Sequence, residues 1–392
     1  MLFQVLDSKK ECYAVFCEGN IYHYPHGLNL SRTWAPTAHF DNEDVEYAQI
    51  WAHGQTFSEM CPDHLKEEWG ALNKKARAFL KSFETAKINL DDICFYDSVP
   101  RKFLIDFYSF RSQITDWVFE HEKKPKNYDF LKDLVVFLNK VKDQEVLLRM
   151  ENLDFINPKV RNSFKKIKKS NNKIKYNPWS TVTGRLTTEG DSFPILTLNR
   201  ELRNVVVPTN DLFVELDYNS AELRTFLGLL SAPQPDGDLH SWISENIFLS
   251  KLTRDETKKK VFAWLYNPKA RNKKLNEKFN RDAILKKYYI DGAVNTPYNR
   301  KIKVDEQRAL NYIIQSTASD LFLTSMLKVD KMLEDRKSFI AFCVHDSLII
   351  DFAKEDQPLI EEVINVFSDT KFGKFKTNLS AGRNFGEMRK IK

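Results

Sequence analysis

The sequence is poor in several features that would narrow its class. Its 392 residues include five cysteines, Cys12, Cys17, Cys61, Cys94 and Cys343. Their number is odd and no two form a CxxC pair, so neither a zinc ribbon nor a disulfide framework is expected, and a reducing cytoplasm is the simpler setting. No stretch approaches the roughly 18 apolar residues of a membrane span, so no membrane partner is expected. The N-terminal run MLFQVLDSKKECYAVF meets charge after six residues and lacks the apolar centre of a signal peptide. Internal repeats and low-complexity tracts are also missing.

What is present suits a large divided enzyme. With 42% hydrophobic and 13% aromatic residues the chain can bury a sizeable core. A net charge of +6 permits a polyanionic partner without requiring one. In residues 1–60, FQVLDSKKECYAVFCEGNIYHY reads as two short strands around a polar turn, and a loop-rich stretch with Pro25 and Pro36 follows. From Cys61 to Leu153 the pattern turns helical, with HLKEEWGALNKKARAFLKSF and KNYDFLKDLVVFLNKVKDQEVLLRM spacing apolar residues at i, i+3, i+4 and i+7. Residues 161–175, RNSFKKIKKSNNKIK, are basic without a single acid. Such a block is either a solvated face or a stripe that follows a phosphate backbone.

Three segments carry chemistry. In DLFVELDYNSAELRTFLGLLS, residues 211–231, apolar alternation predicts a strand that ends at Asp217, then a helix with Ser220 as its N-cap. In FCVHDSLII, Asp346 sits at the bend between two strands. If the two strands lie side by side, the carboxylates repel each other unless a cation intervenes, and few hard oxygen ligands suit Mg²⁺. The third segment is TRDETKKKVFAWLYN. Thr253 and Glu256 form a capping box, and the helix should stop at Asn267-Pro268. Arg254, Lys258, Phe262 and Tyr266 recur every four residues along one face. Two cations at a helix N-terminus followed by two aromatics could bind a nucleoside triphosphate lengthwise; the competing reading is an amphipathic core helix with snorkelling cations.

These segments resemble the polymerase domain of the DNA polymerase I family (family A). Asp217-Tyr218-Asn219-Ser220-Ala221-Glu222-Leu223-Arg224 is similar to its DYSxxELR motif, Arg254 to Tyr266 to its RxxxKxxxF/YxxxYG helix, and Val344-His345-Asp346-Ser347 to its VHDE. Thr183-Gly184-Arg185-Leu186, Leu202-Arg203, Asp238-Leu239-His240, the stretch from Gly292 to Asp320 and Gly382-Arg383-Asn384-Phe385 match further motifs in the same order, over residues 176–392. The resemblance implies an α+β right-hand fold: an antiparallel palm sheet, helical fingers and a helical thumb. The expected divisions are 1–60 as a β-rich segment, either an exonuclease relic or a docking module, 61–179 as thumb, 180–231 and 332–392 as palm, and 232–331 as fingers.

The resemblance also implies roles. Asp217 and Asp346, helped by the Tyr218 carbonyl, hold two Mg²⁺ ions, with Mn²⁺ as a substitute. Lys258 is catalytic at the triphosphate. Arg254 and His240 grip its outer phosphates, Phe262 and Tyr266 meet the nucleotide, and Glu222 excludes a ribose 2′-hydroxyl. Arg185, Asn311, Gln315 and His345 face primer–template DNA. The implied reaction is templated addition of deoxynucleotides to a primer 3′-end, by a monomer in the cytoplasm, that of a bacterial host if phage-encoded. Phe262 implies poor dideoxynucleotide use, improved in Phe262→Tyr. No helicase or processivity factor is legible.

Departures from the family pattern matter. Ser347 stands where a carboxylate follows the HD pair, Asn267 and Ser316 replace glycines, and the fingers are short. The first strand offers Leu6-Asp7-Ser8-Lys9 with no second acid, so proofreading is not expected. Two other readings stay open: a single-subunit RNA polymerase, which shares the palm and an HDS motif, and a catalytically inactive nucleic-acid-binding protein of polymerase fold. Glu222 speaks against the first, and the retained Asp217 and Asp346 against the second.

Overall fold

A computed structural model describes residues 1–40, 44–90, 92–152, 171–267 and 269–391, together with Val160, Phe164, Lys165 and Ile167. Much of the basic run 161–175 lies outside the described residues. The chain divides into two compact units, Met1–Asp143 and Gln144–Lys392.

The first unit joins a small sheet to three long helices. Its strands are Gln4–Val5, Ala14–Cys17 and Asn20–His23, all antiparallel, one more strand than the sequence pattern suggested. The helices are Lys66–Thr85, Arg101–His121 and Tyr128–Lys142. The last stops well before Met150, where the periodicity had suggested continuation. There Val146-Leu147-Leu148 turns to backbone pairing instead: Leu148 bridges Val206, and Glu145 bridges Lys173. Phe16, Trp34, Trp69, Phe103, Phe107 and Val118 share one core, so the N-terminal strands and the first two of these helices are buried together. Cys12 and Cys94 form a disulfide across 82 residues, with Cα atoms 5.6 Å apart. This corrects the expectation of unpaired thiols. Parity and spacing are blind to a contact that only the fold creates.

The second unit is built on a five-stranded antiparallel sheet. Its order across the sheet is Phe339–Val344, Ser347–Phe352, Leu212–Tyr218, Thr377–Gly382 and Arg389–Lys390. The central strand Leu212–Tyr218 buries Phe213, Val214, Leu216 and Tyr218. The helices Glu306–Met332 and Ile360–Ser368 pack on each other, and Tyr218 stacks on Phe367 of the second at 4.3 Å. Between the sheet's first and later strands the chain forms a helical cluster around Leu223, Phe226, Ile243, Trp264, Phe279 and Ile313.

One buried ion pair ties this unit together. The Arg300 guanidinium donates to both Asp320 carboxylate oxygens, at 2.7 and 3.0 Å, and the Asp320 side chain is fully buried. Gly184 (φ +78°) packs against the same guanidinium, where a Cβ would stand 2.4 Å from Arg300 Nη2. The segment Thr183–Leu186, the hairpin around Arg300 and the long helix therefore meet at one point. Removing one partner of such a pair leaves the other charged and unpaired. We expect Asp320→Ala to destabilise this unit by about 3–5 kcal/mol in a denaturant titration. A loss below about 1 kcal/mol would show that the pair is not a clamp.

Candidate active site

The sheet brings the two sequence-distant aspartates together through register. Asp217, near the end of its strand, lies directly opposite Ser347 on one neighbour and Asn378 on the other. Asp346 precedes Ser347 in the tight turn, where exposed His345 adopts a left-handed backbone (φ 56°). The strand leading to that turn is pinned by Tyr176, whose hydroxyl donates to the Cys343 carbonyl at 2.6 Å and accepts its N–H at 3.0 Å. Two neutral side chains serve Asp217: Asn378 Nδ2 donates at 3.3 Å and Ser347 Oγ at 3.4 Å. Sequence reading missed Asn378, since an asparagine in an ordinary strand carries no signal. Ser347, noted only as a missing acid, is here a donor to the remaining one.

Burial pushes the Asp217 carboxyl up to about 6; the Asn378 hydrogen bond opposes this, and the charges of Glu215 and Asp346 add to it. Burial also raises Asp346, against the pull of Arg185. Two half-buried carboxylates that resist ionisation and repel one another fit a divalent cation, whose charge removes both penalties. Among the described residues no group of three or more His, Cys, Asp or Glu is assembled as a metal site. Mg²⁺ asks for no more than this, since it takes one or two carboxylates and fills its other positions with water and phosphate.

A pH-dependent consequence follows for the metal-free protein. The folded pKa lies above the ordinary value of 3.8, so ionising Asp217 costs folding energy. That cost is absent below about pH 4 and fully present above about pH 6. With chelator at pH 8, we expect Asp217→Asn to raise stability by on the order of 1–2 kcal/mol, after allowance for solvent screening. The gain should vanish when the scan is repeated at pH 4. A variant less stable than the parent at pH 8 would contradict it.

Facing the sheet, the helix Arg254–Tyr266 begins with the expected capping box of Thr253 and Glu256 and ends at Asn267. Ser220 occupies the N-cap position of the helix Ala221–Leu229, but in left-handed conformation and without a capping side-chain bond. Arg254 is held by Asp238, its Nη2 and Nε donating at 2.9 and 3.1 Å. Asp238 also caps the helix Leu239–Asn246 and accepts from Asn219 Nδ2 at 2.9 Å. Although burial works against it, these hydrogen bonds hold the Asp238 carboxyl well below the usual carboxylate range. Arg224, fully buried, donates to the carbonyls of Asn219, Pro235 and Gly237 at 2.8, 2.9 and 2.8 Å. The polar residues around Asp217 thus lock the sheet end to the Asp238 turn, and the turn to Arg254.

Lys258 is exposed on the same helix face. Burial, aided by the charges of Arg254 and Lys258, lowers His240 to about 4 despite Asp238, so its imidazole is neutral at pH 7. His240, Phe262 and Tyr266 form an aromatic row, with centroids 5.7 and 5.8 Å apart and the last two stacked. Asp217, Tyr218, His240, Arg254, Lys258, Phe262 and Asn378 line a cleft of about 230 Å³. Glu222 bridges two other residues: one carboxylate oxygen pairs with Arg185, and the other accepts from the Tyr266 hydroxyl. Arg185, expected at DNA, is therefore engaged with Glu222 here. Asn311 and Gln315 lie one turn apart on the helix Glu306–Met332, and Asn311 shares a second hollow with Tyr266.

Comparison with known proteins adds the following. Residues 269–387 match the model of DNA polymerase family A. The chain is 26% identical over 237 residues to DNA polymerase I of Caldicellulosiruptor bescii, covering 47% of this chain and 28% of that protein. It is 24% identical over 291 residues to the DNA polymerase of Bacillus phage SP01, covering 54% and 31%. The matches thus span less than a third of the length of these curated relatives. Among solved structures, the POL domain of Pol1 from M. smegmatis, in complex with DNA primer-template and dNTP, aligns with a TM-score of 0.61 at 13% identity. It covers 87% of this chain and 82% of that one.

Proposed function

Because residues 269–387 carry the DNA polymerase family A segment and the chain has that family's α+β right-hand fold, we propose that it is a DNA-directed DNA polymerase extending a primer 3′-end with deoxynucleotides. The single observation that carries this reading is the cleft where Asp217 faces Arg254, Lys258 and Phe262. Oxygen donors stand on one side of it, cations and an aromatic face on the other. That is the polarity a nucleoside triphosphate requires.

In this reading, the palm is 180–231 and 332–392, the fingers 232–331 and the thumb 61–179. Asp217 and Asp346, with the Tyr218 carbonyl, would hold two Mg²⁺ ions. When bound, these supply a Lewis acid for the phosphate and a lowered pKa for the attacking hydroxyl. Arg254, fixed by Asp238, offers a pre-oriented fork to the outer phosphates. Lys258 adds a mobile charge and a proton for the leaving pyrophosphate. Neutral His240 donates or accepts one hydrogen bond without adding repulsion between the cations. Phe262 and Tyr266 give the sugar and base a flat apolar wall. Asn311, Gln315, His345 and Arg185 are assigned to primer–template DNA.

Absence of a 3′–5′ exonuclease belongs to the same proposal. It is supported by Asp7, whose carboxylate pairs with Lys9 at 3.0 Å and accepts the Phe95 N–H at 2.8 Å. That acid is committed to structure. A monomer in the cytoplasm is also proposed; no helix among the described residues is long and apolar enough to cross a membrane. The Cys12–Cys94 disulfide argues the other way on compartment.

Primer extension on a primed DNA template with Mg²⁺, run separately with deoxy- and ribonucleotides, tests the function. Extension with deoxynucleotides is the expected result. Extension with ribonucleotides alone would move the chain to the RNA-polymerising reading, and tight primer–template binding without extension would leave a scaffold.

A further inference from the structure

The first unit contains a cavity of about 490 Å³ that the polymerase reading does not use. Its walls come from the first strand, the Thr33–Thr37 loop and the helix carrying Arg111, with Lys142 at the rim. Three buried polar atoms in this wall have no hydrogen-bond partner: Gln4 Oε1, Thr37 Oγ1 and Arg111 Nε. Gln4 is fully buried, and its amide nitrogen is spent on Thr115 at 2.9 Å, which leaves the oxygen facing nothing.

Charge in the cavity is also unbalanced. Asp7 and Lys9 neutralise each other. Arg111 has no carboxylate partner among the described residues. Its guanidinium lies among rings, 4.3 Å from the Phe57 centroid and 5.3 Å from that of Tyr108. Burial lowers its pKa, and the hydrogen-bonded Tyr108 hydroxyl offsets this only in part. Lys142 adds a second charge. A half-buried cation met only by rings and the Tyr108 hydroxyl, together with unmet buried polar atoms, favours a bound anion with hydrogen-bonding groups.

We propose that this cavity is a binding site for a small hydroxylated phosphomonoester. Two cations match a phosphate dianion, and the guanidinium fork suits its oxygens. Gln4 Oε1 needs a donor, which a ligand hydroxyl supplies, and Thr37 Oγ1 can either give or accept. The volume lies in the range of small-molecule sites.

The test is calorimetric titration of the 392-residue chain with inorganic phosphate and, separately, ribose 5-phosphate. Ribose 5-phosphate is expected to bind at least tenfold more tightly than phosphate. Arg111→Met, which keeps an unbranched apolar side chain among the rings, and the milder Lys142→Ala should each weaken it at least tenfold, and Thr37→Val by a few-fold. Lys258→Ala, in the other unit, should leave it unchanged. Absence of binding by the parent overturns the proposal. So does binding that survives both cation variants, and so does loss on Lys258→Ala, which would relocate it to the candidate active site. Equal affinity for the two probes overturns the phosphomonoester assignment. None of these outcomes depends on whether primer extension succeeds.

Discussion

Asp346→Asn is expected to reduce primer extension by about a thousandfold or more, while primer–template affinity stays within a few-fold. The substitution is nearly isosteric, and the half-buried side chain sits in a tight turn between two well-paired strands, so folding should survive. What it removes is one of the two aspartates that the pairing of Asp217 with Ser347 brings close together. Charge stabilisation by a bound divalent ion is worth several kcal/mol at a phosphoryl centre, and each 1.4 kcal/mol is tenfold in rate. Single-turnover extension, beside anisotropy on labelled primer–template, separates chemistry from binding. A variant within tenfold of the parent would mean that the Asp217–Asp346 pair is not the catalytic centre.

The second large effect concerns Glu222. Its carboxylate is fixed at both oxygens, by Arg185 and by the Tyr266 hydroxyl, and burial together with Glu222 pushes the Tyr266 hydroxyl far up, so it stays a donor. A carboxylate held this way is a rigid wall beside the proposed sugar position. Glu222→Ala should therefore raise ribonucleotide incorporation relative to deoxynucleotide by roughly 10- to 200-fold, the range for opening a small steric gap. Deoxynucleotide efficiency should fall more modestly, because Arg185 and Tyr266 lose their common anchor. Competition between the two nucleotide types in one extension assay reads the ratio directly. An unchanged ratio would assign Glu222 to positioning Tyr266 and Arg185, with sugar choice made elsewhere.

Much of this was legible in the chain. Local rules specified the helix Arg254–Tyr266 with its capping box, the strand ending at Asp217 and the two strands flanking His345-Asp346, because propensity, capping and alternation act within a few residues. Spacing of four placed Arg254, Lys258, Phe262 and Tyr266 on one face before any fold was known. The ordered motifs then pointed to the family, and with it to the sheet.

What only the tertiary structure decided are contacts between residues far apart in sequence. Asn378 at Asp217 has no local signature. Asp238, Arg224 and Arg185 stand in motifs the sequence shows, but that they hold Arg254, the Asn219–Gly237 turn and Glu222 emerges only when register and packing bring the partners together. The same holds for the Cys12–Cys94 bond, which cysteine counting argued against, and for the cation left unpaired at Arg111. Periodicity reports which side of an element is buried, but not what lies against it. Hydrogen bonds and ion pairs depend on that second fact, since their energies fall away within an ångström of the right geometry.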